Sequence, residues 1–237
     1  MNSLDELIIH IPHSSLDIPA SFKSRLIVDN NYFEEENKLI CDYRVDEFIP
    51  NNFNNIVKFN YSRMYLDVER YLDDNKEEMS RYGMGVLYTK DSNGRVFVNR
   101  DINDNKYIIN NLYKKHHSKL DNMVDNILNK YGNCFIIDLH SFSDEFVYKM
   151  FNKQDTPDIC IGINKTYDKE LLNKTISYFI ECGYSIKINY PYEGSIISNK
   201  HPEVKSMMLE INKRIYLNNK NDYDKFYNCM MNYYNIL

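Results

Sequence analysis

Six short apolar segments divide the chain, and several of them lack the polar alternation of a half-exposed strand. They are ELIIHIP, NIVKFNYS, NCFIIDLHS, DICIGIN, YSIKINYP and SMMLEIN. Strands of this kind are typical of a sheet that is covered on both faces. Stretches with helical spacing lie between them, at residues 31–48, 105–130, 169–181 and 222–234. The alternation predicts an α/β fold with three layers, α/β/α, around a mainly parallel or mixed central sheet.

One domain spanning residues 1–237 fits this length, because the sequence has no repeat and no linker rich in Gly, Ser or Pro. The formal net charge of −5 gives no positive field that would attract nucleic acid or an anionic membrane. No apolar run approaches the roughly eighteen residues of a membrane helix. The acidic start MNSLDEL is unlike a secretory signal, and the five cysteines are scattered singly. We therefore expect a cytoplasmic protein with reduced cysteines.

Polar side chains accumulate where the predicted strands end, which is where ligands bind to a sheet of this class. His10 and His13 close the first segment, and Asp138 and His140 close the segment NCFIIDLHS. A single histidine at a strand end is more often a satisfied polar residue than a ligand. Two strands that each carry a histidine and a nearby carboxylate shift the balance toward a metal site or an acid–base pair.

These residue types favour zinc as the metal. A catalytic zinc ion takes three imidazole or carboxylate ligands and leaves its fourth position to water. A nearby glutamate can accept the proton of that water, and an arginine can bind an anionic group or an oxyanion. Glu210 lies in the apolar segment SMMLEIN, where a charge is costly unless it is paired, metal-bound or protonated. The segment YSRMYLDVERY supplies further charged residues: Arg63, Asp67, Glu69 and Arg70.

A serine nucleophile is the competing interpretation. Four serines lie at the same strand ends: Ser14, Ser15, Ser141 and Ser143. None of them is surrounded by the GxSxG motif of a nucleophile elbow, and no cysteine lies at a polar strand exit. The residues therefore favour metal-dependent hydrolysis over nucleophilic catalysis.

Six motifs, in matching order along nearly the whole chain, resemble the N-formylglutamate amidohydrolase family. They are HIPHSSLDIP, DYRVDEF, SRMYLDVER, IIDLHSFS, PYEGSII and MMLEINKRIY. Each motif is weak alone, and their common order carries the resemblance. It implies an α/β fold like that of the zinc carboxypeptidases (the phosphorylase/hydrolase type). It also implies one zinc ion per chain and a small N-acyl amino acid as the substrate.

The resemblance implies three zinc ligands: His13, Asp42 and His140. The carboxypeptidases take their carboxylate ligand from the position three residues after the first histidine. Leu16 occupies that position here, so the carboxylate must come from elsewhere in the chain. Asp17 and Asp46 remain alternatives to Asp42, and either Asp42 or Asp46 could orient a histidine instead.

The same resemblance implies that Glu210 is the general base. It implies that Arg63 and Arg70 bind the oxyanion and the carboxylate of the substrate, without deciding which does which. It also implies a substrate pocket formed in part by the motif PYEGSII. The pocket residues expected there are Gly194 and Tyr192, with Tyr190 as an alternative to Tyr192.

One position departs from the family pattern, which is close to SRxxxDxNR. Glu69 replaces the asparagine, and a carboxylate there argues against formylglutamate itself as the substrate. A metallopeptidase or deacylase for another acyl amino acid or peptide is therefore an alternative function. A non-catalytic binding protein on the same scaffold is the second alternative. His116 and His117 lie in the lysine-rich segment KKHHSKL, so we expect both to be solvated and outside the site.

Overall fold

The computed structural model describes residues 4–237, apart from the side chains of residues 102–104. Its sheet contains six strands: β1 (Leu7–Ile11), β2 (Ile56–Lys58), β3 (Phe135–Phe142), β4 (Ile159–Gly162), β5 (Ile186–Ile188) and β6 (Lys205–Asn212). Each of the six apolar segments of the sequence forms one of these strands, which confirms that part of the prediction.

The strand order in the sheet is β2-β1-β3-β6-β4-β5. β1 is parallel to β2 and β3, and β3 is parallel to β6. β4 runs antiparallel to β6 and parallel to β5, so the sheet is mixed. The register pairs His10 with Asp138 and His140 with Glu210. Three neighbouring parallel strands therefore bring polar side chains to the same edge of the sheet.

The helices are α1 (Ala20–Lys23), α2 (Asn30–Ile40), α3 (Ile102–Ile108), α4 (Lys114–Tyr131), α5 (Asp144–Phe151), α6 (Lys169–Glu181), α7 (Arg214–Leu217) and α8 (Lys220–Ile236). The helix predicted for residues 169–181 coincides with α6, and that predicted for residues 222–234 lies within α8. Within residues 4–237, no helix combines the length and the apolar character that crossing a membrane requires.

The predicted helix at residues 31–48 is interrupted. α2 ends at Ile40, and a short 3-10 helix, Val45–Phe48, follows. Arg44, between them, has a φ of 66°, which lies in the left-handed region and cannot continue a right-handed helix. A turn therefore replaces the middle of the predicted helix, and this turn carries Asp42.

Two further differences concern helices. The stretch predicted at residues 105–130 contains a π-helical turn, Ile109–Tyr113, between α3 and α4. α5 was not among the predicted helices. Its start signal is present, however, because the hydroxyl of Ser143 accepts a hydrogen bond from the backbone N–H of Phe146 at the helix N-terminus.

Helices cover both faces of the sheet. On one face, Ile8 of β1 packs in a cluster with Leu120 and Val124 of α4. Leu7 and Ile9 belong to a separate cluster that also contains residues of α6 and α8. Because successive side chains of a strand point to opposite faces, β1 is buried on both sides. The predicted three-layer α/β/α architecture is confirmed.

The segment at residues 59–101 has little regular structure but packs around its own apolar cluster. Met64, Leu66 and Val68 are fully buried in or beside it. The guanidinium of Arg100 donates hydrogen bonds to the carbonyls of Met64 at 2.9 Å and Tyr88 at 2.6 Å. These contacts fix the path of the segment SRMYLDVER, and so fix the charged side chains that it directs toward the strand ends.

Candidate metal and catalytic site

Buried imidazoles converge at the carboxyl ends of β1 and β3. His140 lies two residues before the end of β3, and His13 lies two residues beyond β1. Their ring centroids are 5.2 Å apart, although the residues are far apart along the chain. Both side chains are almost inaccessible to solvent. The two histidines that the sequence predicts as metal ligands are therefore neighbours in the structure.

The carboxylate that faces both rings is that of Glu69. Its Oε2 lies 3.2 Å from Nε2 of His140 and 3.5 Å from Nδ1 of His13. Glu69, His13 and His140 each offer a ligand atom, and these atoms lie within 4.8 Å of one another. Nδ1 of His13 is buried and has no hydrogen-bond partner within the described part of the chain. A free imidazole nitrogen aimed at a carboxylate and a second imidazole fits a divalent cation such as zinc.

A buried ion-pair network behind His13 holds this ring in place. Nε2 of His13 lies 2.8 Å from Oδ1 of Asp67, so the other nitrogen faces the site. Arg63 donates two hydrogen bonds to Oδ2 of Asp67, at 2.9 and 2.7 Å, and the hydroxyl of Tyr88 donates a third at 3.0 Å. Burial opposes ionisation of Asp67, but Arg63 and His13 outweigh it and hold the pKa of Asp67 well below its usual range. A carboxylate behind a histidine is a common support for a metal ligand.

The two histidines have opposite protonation tendencies. Burial lowers the pKa of His13, and the charge of Arg63 adds to this effect, so the ring is neutral and suited to bind a cation. Burial also acts to lower the pKa of His140, but the charges of Glu69 and Asp138 outweigh it and raise that pKa well above its usual value. In the absence of another cation, a proton on His140 therefore balances the surrounding carboxylates.

Asp42 lies on the other side of His140. Its Oδ2 accepts a hydrogen bond from Nδ1 of His140 at 2.9 Å and is 3.8 Å from Nδ1 of His13. The predicted ligand Asp42 is thus in the site, but Glu69 is the carboxylate nearest to the unpartnered Nδ1 of His13. Nε2 of His140 lies 3.0 Å from Oδ1 of Asp138 and 3.2 Å from Oε2 of Glu69. The two alternatives to Asp42 lie apart from these contacts, since Asp46 pairs with Lys58 at 2.6 Å and Asp17 is exposed.

Lys213, which the sequence analysis missed, anchors the turn that carries Asp42. Its buried ammonium donates hydrogen bonds at 2.6 to 3.0 Å to three carbonyls at the end of α2, those of Lys38, Leu39 and Cys41. Burial lowers the pKa of Lys213 to about 8, although the charge of Asp42 opposes this effect. The backbone N–H of Asp42 in turn donates to the carbonyl of His13 at 2.9 Å, which ties this turn to the histidine.

The two arginines differ in how firmly they are held. Arg63 is bound to Asp67 through two nitrogens, as described above. Arg70 is looser, since its Nε lies 3.4 Å from Oδ2 of Asp67 and its Nη1 3.5 Å from Oε1 of Glu77. The Nε atom of Arg70 is buried without a hydrogen bond, while a quarter of its side chain is exposed. Arg70 is therefore the guanidinium with capacity to bind an incoming anion.

Glu210 lies beside His140 in the register of β3 and β6. Its side chain is buried, and Oε2 has no hydrogen-bond partner among the described residues. Burial raises the pKa of Glu210 to about 8; the charge of His140 acts in the opposite direction. A carboxylate with a free oxygen and a pKa near neutrality is suited to accept and return a proton.

The motif PYEGSII forms a loop next to the same edge of the sheet. The ring of Tyr192 packs edge-on against Phe142 at the end of β3, with centroids 5.9 Å apart. Gly194 has a φ of +82°, in the left-handed region that favours glycine. The backbone N–H of Ile196 donates to Oδ2 of Asp138 at 2.9 Å, which fixes the loop to β3. The predicted pocket residues thus border the strand ends.

The expectation that both helical histidines are solvated is wrong for His116, which is 5% exposed. Its Nε2 lies 2.8 Å from Nε2 of His10, and Nδ1 of His10 lies 2.8 Å from Oδ1 of Asp138. The sequence does hold a signal, because His116, Leu120 and Val124 recur every four residues and share the apolar face of α4. The pair of lysines before the histidines obscured this pattern. His117 is half-buried, with Nε2 2.8 Å from the carbonyl of Val68.

No serine–histidine pair supports the competing interpretation. Ser15 donates to the carbonyl of Asn60, and Ser143 caps α5. The imidazoles at the strand ends make their hydrogen bonds to carboxylates and to another imidazole, and none to Ser14 or Ser141. None of the four serines at the strand ends therefore has, among the described residues, an imidazole that could activate it.

Comparison with known proteins supports the expected family. A family model described as N-formylglutamate amidohydrolase matches residues 5–217. The crystal structure of N-formylglutamate amidohydrolase from Ralstonia eutropha JMP134 has a TM-score of 0.82 and 20% sequence identity, covering 98% of this chain and 92% of that chain. A gene product of Agrobacterium tumefaciens has a TM-score of 0.69 and 14% identity, covering 96% and 90% of the two chains. No curated protein is a significant sequence match.

The environment of His116 leads to a testable titration behaviour. Burial, with a smaller contribution from His10, lowers the pKa of His116 to about 2, so this ring should stay neutral between about pH 5 and 8. His201 is an internal control, because hydrogen bonds to Asp125 and Glu203 raise its pKa above the usual 6.5. Ring chemical shifts of the metal-free protein, followed by NMR against pH, should move for His201 and not for His116. Titration of His116 within that range would contradict the buried contact with His10.

Proposed function

Because the chain belongs to the N-formylglutamate amidohydrolase family, we propose that it hydrolyses the amide bond of an N-formyl or other N-acyl amino acid. The observation that carries the proposal is the convergence of His13, Glu69 and His140 beside Glu210. These side chains come from different segments and meet at the carboxyl ends of parallel strands. They supply the ligands and the proton acceptor that metal-dependent hydrolysis requires.

His13, His140 and Glu69 would hold a zinc ion in this proposal. A zinc ion bound there supplies a Lewis acid for the acyl carbonyl and lowers the pKa of a water molecule. Asp42, which the sequence suggested as the carboxylate ligand, orients His140 through the hydrogen bond to Nδ1. Asp67 does the same for His13 through its hydrogen bond to Nε2.

Glu210 acts as the general base and then as the general acid. Its free oxygen accepts a proton from the attacking water, and the same proton then passes to the leaving amine. The burial that raises its pKa makes the carboxylate a stronger proton acceptor than an exposed glutamate. Hydrolysis then yields the free amino acid and the carboxylic acid of the acyl group.

Arg70 binds the carboxylate of the substrate, and Arg63 positions the metal centre. The two hydrogen bonds from Arg63 to Asp67 fix the carboxylate that orients His13. Arg70 has a buried Nε without a hydrogen bond and therefore gains most from an anionic partner.

Glu69 does not oppose an anionic substrate in the way its sequence position suggests. Its carboxylate lies 3.2 to 3.7 Å from nitrogens of three imidazoles, those of His10, His13 and His140. Its charge is directed at the metal centre, so it is available as a ligand. Formylglutamate therefore stays within the proposed substrate class, together with other N-acyl amino acids.

Removal of the base should abolish hydrolysis without removing the metal. Glu210→Gln keeps the size of the side chain but cannot accept a proton, so we expect kcat for N-formylglutamate to fall by about a hundredfold or more. Zinc content and thermal stability should equal those of the wild type. The matched control is Glu203→Gln, an exposed glutamate outside the site, which should keep full activity. A Glu210→Gln variant that retains most of its rate would show that another group is the base.

Replacement of Arg70 should weaken recognition of the carboxylate more than the chemical step. We expect Arg70→Met to raise KM for N-formylglutamate by about tenfold or more, since a hydrogen bond between charged groups contributes roughly 1.5–3 kcal/mol. KM for the analogue whose α-carboxylate is an amide should change little. Arg63→Met should instead lower kcat for both substrates, because it releases Asp67 and His13. Equal effects of Arg70→Met on acid and amide would contradict this assignment.

A panel of formyl, acetyl and peptide substrates separates the remaining alternatives. Turnover of acetyl or peptide substrates in preference to formyl substrates would indicate the deacylase or metallopeptidase. Zinc bound without turnover of any of them would indicate a binding protein on the same scaffold.

A further inference from the structure

A second group of potential ligands adjoins the first and shares Glu69 with it. His10, Glu69 and Asp138 also offer ligand atoms that lie within 4.8 Å of one another. We propose that this triad binds a second divalent cation, and that the carboxylate of Glu69 bridges the two ions. The inference rests on the proposed metal centre at His13 and His140, which it extends from one cation to two.

The two oxygens of Glu69 face different histidines. Oε2 is the oxygen near His13 and His140, whereas Oε1 lies 3.7 Å from Nδ1 of His10. Each histidine is a member of one triad, and Glu69 is the member that both share. The triads also touch at Oδ1 of Asp138, which lies 3.0 Å from Nε2 of His140. Carboxylates commonly join paired metal ions, which in such centres are about 3.5–4 Å apart. The orientation of Glu69 suits a bridge with one oxygen on each ion.

The side chains of the second triad are held in position from behind. Nε2 of His10 lies 2.8 Å from Nε2 of the buried His116, which leaves Nδ1 of His10 facing the carboxylates. Asp138 directs Oδ1 at Nδ1 of His10, at 2.8 Å, while its Oδ2 accepts the backbone N–H of Ile196 at 2.9 Å. Such outer contacts, on the atoms that point away from the ion, are typical of metal ligands.

Among the described residues, the carboxylates of Glu69 and Asp138 contact imidazoles but no arginine or lysine. The buried or half-buried carboxylates are those of Asp42, Asp67, Glu69, Asp138 and Glu210, and the cations are Arg63, Arg70, Lys213 and, without a metal, the protonated His140. Buried carboxylates are costly unless a cation or hydrogen bonds compensate them. Arg63 is already bound to Asp67, and Lys213 to backbone carbonyls. A divalent ion between Asp138 and Glu69 supplies positive charge where no arginine or lysine is bound.

The donor atoms indicate which ions the second triad accepts. It offers one imidazole and two carboxylates, whereas the first offers two imidazoles and one carboxylate. Oxygen-rich sites suit manganese as well as zinc, and imidazole favours zinc. We therefore expect the two positions to fill in sequence, with the first triad binding zinc more tightly.

Metal stoichiometry tests the proposal directly. The purified full-length protein is stripped with a chelator, dialysed against excess Zn2+ or Mn2+, and assayed by mass spectrometry of the metal. We expect two ions per chain in the wild type and one in His10→Ala. The control His201→Ala removes a partly exposed histidine outside the centre and should retain two ions. If His10→Ala fails to fold, the nearly isosteric variant Asp138→Asn replaces it and should also bind one ion per chain.

Electron paramagnetic resonance of the manganese-loaded protein adds a readout that does not depend on activity. Two ions bridged by Glu69 should give an exchange-coupled spectrum, which His10→Ala converts to that of isolated Mn2+. One ion per chain in the wild type, with the same content in His10→Ala, would overturn the second site and leave the proposed hydrolase intact. No bound metal in the wild type would contradict both the second site and the proposed metal-dependent mechanism.

Discussion

The parallel register of β1, β3 and β6 is the constraint on which the site depends. Parallel neighbours end at the same edge of a sheet, so histidines distant in sequence become adjacent without a long loop to carry them. The same register sets His140 beside Glu210 and His10 beside Asp138. A slip of one residue would turn each of these side chains to the opposite face and separate the groups.

A layer of buried charge surrounds this edge and makes it rigid. Arg63 fixes Asp67 behind His13, and Lys213 fixes the turn of Asp42 behind His140. Partly satisfied buried networks are costly, whereas fully bonded ones specify a single arrangement. Among the described residues, the buried atoms without hydrogen bonds include Nδ1 of His13, Nε of Arg70 and Oε2 of Glu210, which the proposed chemistry uses.

The sequence predicted the strands well because continuous apolar runs reflect burial on both faces, which is a local property of each segment. The strand ends predicted that histidines of two strands share one site, and the resemblance to the family singled out His13 and His140. The sequence did not predict that the side chain of Glu69 points at the histidines. Glu69 lies in a segment without helical or strand periodicity, and tertiary contacts determine the path of that segment. The role of Lys213 was also hidden, since the carbonyls that its ammonium binds lie more than 170 residues earlier in the chain.

Anomalous diffraction at the zinc absorption edge, from crystals of the zinc-loaded protein, tests the central claim most directly. The account predicts zinc within about 2.0–2.2 Å of a nitrogen of His13, a nitrogen of His140 and an oxygen of Glu69. Zinc bound elsewhere would contradict it. So would zinc coordinated by Asp42 and Nδ1 of His140, without Glu69 as a ligand.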